Sequence, residues 1–150
     1  MSRAPATASN TFARIVERWV EQSFPSWSRY AKPREDGEFE VAIPAPRGSR
    51  AGHLRIFTYR GDLWVRFNPA RMCYPIDSRT ELLSIVRQLV KDKVLFVNMY
   101  RGTKWTGGTL TRRGVQPRLA AGERAHVVSW SGKHDAGMDA TNAGKKQRAG

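Results

Sequence analysis

The segment Leu54–Phe67 constrains the fold more than any other part of the chain. Two runs that alternate apolar and polar residues flank the dipeptide Arg60-Gly61. A two-residue connection between alternating runs is typical of a tight β-hairpin, in which glycine accepts a positive φ. The sequence therefore predicts an antiparallel strand pair in which Arg55 lies directly opposite Arg66.

This register sorts the side chains of the hairpin onto two faces. The first face is a core surface and holds Leu54, Ile56, Leu63, Val65 and Phe67. The second face holds Arg55, Phe57, Tyr59, Trp64 and Arg66. Rings on which bases stack, mixed with guanidinium groups that contact phosphates, are typical of proteins that bind single-stranded nucleic acid. Alternatively, an amphipathic helix covers this face and its rings form a second core.

Two amphipathic helices and a short strand accompany this hairpin. From Asn10 to Phe24, apolar residues recur at steps of three and four, which predicts a helix. A second helix begins at Asp77-Ser78, because Ser78 and Glu81 have the spacing of a capping box. The alternating segment 39–43, stopped by Pro44, predicts a short edge strand.

A second hairpin is predicted from 94–100 and 104–110, around Arg101-Gly102-Thr103. Pairing Tyr100 with Trp105 places Leu110 on the same face as Leu95 and Val97. The segment 125–130 is a possible last strand. The element order α-β-β-β-α-β-β(-β) predicts an α+β fold with one antiparallel sheet of five to six strands and two helices. We expect a single domain over 10–130, with a disordered N-terminus (1–9) and a disordered polar, basic tail (131–150).

Positive charge is the extreme feature of the composition, with 26 basic and 13 acidic residues giving a net charge of +13. Between Arg47 and Arg118 there are fifteen Lys or Arg and only four acidic residues, so the charge lies in the expected folded region. Such a field attracts anionic partners. We therefore expect a non-enzymatic binding module for an anionic partner, with nucleic acid as the first candidate. The predicted contacts are Arg55, Phe57, Trp64, Arg66, Arg101, Lys104, Arg112 and Arg113.

Signals for catalysis and for bound groups are weak. Ser, His and Asp side chains, the types that form a catalytic triad, occur close together at Ser129, Ser131, His134 and Asp135. The polar stretch that contains them lacks a nucleophile elbow. The three histidines lack metal-ligand spacing, and no glycine-rich loop opens a helix. We expect no catalytic residues, no metal and no cofactor. The longest aliphatic and aromatic run, 94–97, is too short to span a bilayer, so we expect a soluble cytoplasmic protein of bacterial type with no membrane partner.

The element order, together with the aromatic residues between Leu54 and Trp105, resembles small bacterial α+β proteins of the type III secretion chaperone-like or toxin-immunity kind. This resemblance covers about two thirds of the chain and identifies no site residues. It implies an alternative function as a protein-interaction module, either an immunity-type inhibitor or a chaperone-like adaptor. Such a module would bind an acidic protein through the same face or through an edge strand.

Overall fold

The computed structural model describes residues 4–32, 34–67 and 73–140. Its helices are α1 (Ala4–Ser23), a 3₁₀ helix (Pro25–Tyr30) and α2 (Arg79–Val90). Its strands are β1 (Glu40–Pro44), β2 (His53–Tyr59), β3 (Asp62–Phe67), β4 (Tyr74–Ile76), β5 (Val94–Arg101), β6 (Lys104–Arg112), β7 (Glu123–Val128) and β8 (Ala136–Asp139). The fold is α+β, and its strands form two antiparallel sheets of four strands each.

Sheet 1 has the strand order β1-β2-β3-β4 and contains the first predicted hairpin. Its register is as predicted, with Arg55 opposite Arg66. Arg60 and Gly61 form the turn with φ values of 50° and 83°, the left-handed conformation that a tight hairpin requires. Strand β1 lies at the edge of the sheet, which confirms the predicted edge strand.

One face of sheet 1 forms a core with α1. Burial alternates along β2 and β3, and Leu54, Ile56 and Val65 are fully buried. Helix α1 packs against β2 and buries Val16 and Val20. Because the buried side chains of both strands share one face, α1 lies over that face and not over the face that carries the arginines.

The predicted start of the second helix, with Ser78 as its cap, is confirmed. The Ser78 hydroxyl oxygen accepts a hydrogen bond from the backbone N–H of Glu81 at 3.1 Å, and α2 begins at Arg79. Leu82, Val86 and Leu89 are fully buried, as their spacing along the helix predicts.

Sheet 2 has the strand order β6-β5-β7-β8 and contains the second hairpin. Tyr100 lies opposite Trp105 as predicted, but the register then shifts between Met99 and Tyr100. A β-bulge adds one residue to β6, so that Leu110 lies opposite Phe96. The predicted placement of Leu110 with Leu95 and Val97 is therefore wrong, because a one-residue shift moves every later side chain to the other face.

The prediction of one sheet with five to six strands is also wrong. Strands β4 and β8 were not predicted; β4 pairs with β3 at an edge of sheet 1, and β8 pairs with β7 at an edge of sheet 2. Strand β4 contains Pro75, which suits an edge strand but weakens the strand pattern, and β8 consists mostly of weak strand formers. In sheet 1 each strand pairs with the next one along the chain, whereas in sheet 2 β7 pairs with β5 and not with β6.

The ends of the described chain are more ordered than the sequence suggests. Helix α1 begins at Ala4, six residues before the predicted start at Asn10. Strand β8 lies within the segment 131–150, which was expected to be disordered. Residues 1–3 and 141–150, which make up the rest of the two expected disordered ends, lie outside the described residues.

The chain divides into two compact units. Unit 1 combines residues 1–44, 52–68 and 73–86 and contains sheet 1 with α1, and unit 2 combines residues 45–51, 69–72 and 87–150 and contains sheet 2. None of the helices in the described ranges combines the length and hydropathy that a transmembrane span requires.

Candidate functional site

Four of the predicted contact residues come together on sheet 1. Arg55 and Phe57 on β2 lie opposite Arg66 and Trp64 on β3, on the face that points away from the aliphatic core. We call these four residues the basic–aromatic face. All four side chains are half-buried, so the face is neither fully solvated nor a sealed second core.

A carboxylate neutralises one of the two arginines. Arg55 forms an ion pair with Glu40, at 2.7 Å between Nη2 and Oε2, and Arg34 contacts the other oxygen of Glu40 at 2.9 Å. The Arg55 guanidinium also lies 5.9 Å from the centroid of the Phe57 ring. Because the Arg55 side chain is 26% exposed and that of Glu40 is 20% exposed, solvent screens this pair less than an ordinary surface ion pair.

Arg66 has no such partner. Within the described residues it forms no ion pair, and its Nε atom is buried without a hydrogen-bond acceptor. It lies directly opposite Arg55, and like charges in that relation destabilise a sheet. A half-buried guanidinium that lacks a carboxylate therefore retains an unneutralised charge, which an anion would stabilise.

The network that holds Glu40 extends to the loop before β1. Arg34 bonds both oxygens of Asp36, at 3.2 and 2.9 Å, and Asp36 also accepts the backbone N–H of Glu38 at 3.0 Å. The hydrogen bond to Asp36 raises the pKa of Arg34. Burial opposes ionisation of Asp36, but the Glu38 N–H and the Arg34 guanidinium outweigh it, so that the pKa of Asp36 lies below its ordinary value. The Arg34 guanidinium and the Asp36 carboxylate are thus both charged at neutral pH, and their contact holds the loop in place.

Glu38 is a residue that sequence reasoning missed. Its carboxylate is buried, accepts the backbone N–H of Arg60 at 2.6 Å and accepts the Thr58 hydroxyl at 3.3 Å. Four nearby acidic residues, at positions 35, 36, 38 and 40, suggest a solvated turn, and nothing in the sequence separates Glu38 from its neighbours. In the structure it clamps the turn of the β2–β3 hairpin, which fixes the strands that carry the basic–aromatic face.

The other four predicted contacts lie on or beside sheet 2. They belong to unit 2, where Arg101 and Lys104 lie at the tip of the β5–β6 hairpin and Arg112 and Arg113 lie at its opposite end. At about 3.3 Å per residue, the nine residues of β6 separate the two pairs by roughly 25 Å. The two pairs therefore lie at opposite ends of one strand, and their role as contacts stays a prediction.

The polar segment with triad-type side chains forms a structural loop. The Ser129 hydroxyl donates to Asp135 at 3.0 Å and accepts the backbone N–H of His134 at 3.1 Å. The ring of His134 instead contacts Arg113, at 3.4 Å between Nε2 and Nη1. The hydroxyl proton of Ser129 thus points to a carboxylate and not to an imidazole, which differs from the nucleophile–base pair of a triad. No cluster of three or more metal-ligating side chains occurs among residues 4–32, 34–67 and 73–140.

Comparison with known proteins identifies no relative of this chain, since no protein family, curated protein or solved structure matches it. The resemblance to secretion chaperones and immunity proteins stays a prediction. Any functional conclusion depends on the geometry of the side chains themselves.

Proposed function

We propose that this protein binds single-stranded nucleic acid through the basic–aromatic face of sheet 1. The observation that carries this proposal is the cross-strand pair of Arg55 and Arg66, in which Glu40 neutralises only Arg55. A phosphate beside Arg66 would supply both the missing charge and hydrogen-bond acceptors.

The neighbouring rings support a nucleic acid over a simple anion. Phe57 lies opposite Trp64, two residues along the strands from the arginine pair and on the same face, and both rings are half-buried. A base can stack on an accessible ring while the backbone phosphate contacts the adjacent guanidinium. The stacking contribution of one aromatic residue is about 1–3 kcal/mol.

The net charge favours an anionic partner independently of these contacts. An excess of thirteen positive charges on 150 residues accelerates encounter with any polyanion and repels basic proteins. An acidic protein would share this attraction. It would lack bases that stack on Trp64, and this difference allows an experiment to separate the two partners.

The proposal is tested by fluorescence anisotropy with labelled single-stranded RNA and DNA at low salt. Trp64→Ala should weaken binding by about 1–3 kcal/mol, whereas Trp64→Phe should retain most of the affinity. Arg18→Ala is the matched control for charge, because Arg18 is exposed on α1, which covers the other face of sheet 1. Equal affinities of wild type and Trp64→Ala would reject the face as the binding site. Binding of an acidic polypeptide but of no oligonucleotide would favour the protein partner.

A further inference from the structure

A polar groove lies on sheet 2, within unit 2, and none of its lining residues belongs to the basic–aromatic face. Its volume is about 590 Å³, within the range of small-molecule sites. The β-ladder explains its position, because Asn98 and His126 lie side by side and are flanked by Gly108 on β6 and Gly137 on β8. Since both flanking residues lack side chains, this row of the sheet is a depression between bulkier rows.

The floor of the groove presents a hydrogen-bond donor. Asn98 is only 5% exposed and lines the groove. The indole N–H of Trp105 contacts the Asn98 side-chain oxygen at 3.3 Å, and because an indole only donates, this contact fixes the orientation of the amide. The amide NH₂ of Asn98 has no protein acceptor among the described residues. A donor on the groove lining that makes no bond to these residues suits a ligand that presents an acceptor.

Two aromatic rings lie beside this donor. The Tyr100 and His126 rings are 5.2 Å apart at an interplanar angle of 50°, so they do not stack on each other. Both residues line the groove. Their accessible faces suit a planar ligand.

The walls of the groove carry one positive and one negative group. Arg50 is exposed and makes no ion pair among the described residues. Its segment is held in place because the Ser49 hydroxyl donates to the Ser129 carbonyl at 3.3 Å. Asp135 lines the groove as well, and its Oδ1 accepts the Ser129 N–H at 2.7 Å and the Ser129 hydroxyl at 3.0 Å. The nearby Asp135 carboxylate disfavours a simple inorganic anion, whereas a ligand with both donors and acceptors matches both walls.

We propose that this groove binds a nucleotide. An acceptor on the base edge bonds the Asn98 amide, the base contacts the Tyr100 and His126 rings, and the phosphate contacts Arg50. An amino or imino group of the base can donate to Asp135. A nucleobase is the ligand class that combines a planar ring with adjacent donors and acceptors, and its phosphate adds the negative charge that Arg50 favours. These observations are independent of the basic–aromatic face.

The proposal is tested by calorimetric titration of the full chain with four nucleoside 5′-monophosphates, the four nucleosides and inorganic phosphate. At least one nucleotide should bind, its nucleoside should bind more weakly, and phosphate alone should not bind. Arg50→Ala should weaken nucleotide binding by about tenfold or more, with little effect on the nucleoside. Arg47→Ala is the matched control, because Arg47 is exposed in the same segment and does not line the groove.

Two further variants test the floor of the groove. Asn98→Asp replaces the donor by an acceptor of the same size and should abolish binding. Gly137→Val fills the groove from an edge strand, where a Cβ atom would lie 4.0 Å from the His126 ring, an ordinary contact. It therefore tests the site even if Asn98→Asp does not fold.

Three results would overturn the assignment of a nucleotide to this groove. The first is that no nucleotide binds at millimolar concentration. The second is that phosphate binds as tightly as a nucleotide. The third is that a folded Gly137→Val protein binds nucleotide as tightly as wild type. Trp64→Ala should bind free nucleotides like wild type. That result separates this groove from the basic–aromatic face, so either site can fail alone.

Discussion

The β2–β3 hairpin keeps one register from its turn to its last pair, whereas the register of the β5–β6 hairpin shifts close to its turn. Both turns place a glycine at a positive φ, Gly61 at 83° and Gly102 at 62°. The regular ladder of sheet 1 holds two arginines opposite each other beside two rings. In sheet 2, the bulge precedes Gly107 and Gly108, and Gly108 lies opposite Asn98, which lines a groove. Turn chemistry sets the register only as far as the first irregularity.

The largest loss of stability is expected when a side chain on the core face of sheet 1 is truncated. Phe67→Ala should lower the free energy of unfolding by about 3–5 kcal/mol, because Phe67 is fully buried and its truncation leaves a cavity. The same change at Phe57 should cost less than half as much, since Phe57 is half-buried on the basic–aromatic face. Urea denaturation of both variants measures the difference. Equal losses would show that both faces are cores.

The next prediction concerns the hydrogen bonds that hold the turns of the β2–β3 and β5–β6 hairpins. Glu38→Ala should destabilise the protein by about 2 kcal/mol, because the Arg60 N–H and the Thr58 hydroxyl lose a buried acceptor. At the second turn, Arg124 donates to the Gly102 carbonyl at 2.6 Å but is exposed, so Arg124→Ala should cost about 0.5 kcal/mol or less. Thermal melts of both proteins check the order. A larger loss of stability in Arg124→Ala than in Glu38→Ala would contradict this prediction.

The smallest effect depends on pH. The folded state lowers the pKa of Asp36, so its contribution to stability is present above the unfolded pKa of about 3.9 and is lost as pH falls through the lower folded value. Asp36→Asn should therefore destabilise the protein at pH 7 by a few tenths of a kcal/mol, because the contact with Arg34 is exposed. The difference from wild type should vanish near pH 2. Parallel urea titrations at several pH values measure it, and a difference that grows on acidification would contradict the assignment.

Local patterns were sufficient to predict the first hairpin and the capped helix. The position of Gly61 determined the register of β2 against β3, and the spacing of Ser78 and Glu81 located the start of α2. Each of these features depends on residues close together in the sequence. Strand β8 was missed because its residues 136–139 are weak strand formers, and its pairing with β7 depends on tertiary context.

The candidate site could be predicted only in part. The alternation of β2 and β3 brought Arg55, Phe57, Trp64 and Arg66 onto one face, as predicted. That Glu40 neutralises Arg55 but not Arg66 could not be predicted, because it depends on how β1 pairs with β2. The groove on sheet 2 was not predicted, since it requires the strand order of β6, β5, β7 and β8.

The salt dependence of binding tests the claim that the unneutralised charge of Arg66 binds a nucleic-acid phosphate. The logarithm of the association constant of wild type for single-stranded RNA should fall linearly with the logarithm of salt concentration. Arg66→Ala should reduce the magnitude of this slope by about 0.7, the contribution of one phosphate on a single strand. Arg18→Ala should leave it unchanged. A slope for Arg66→Ala equal to that of wild type, or no binding by wild type at low salt, would contradict the claim.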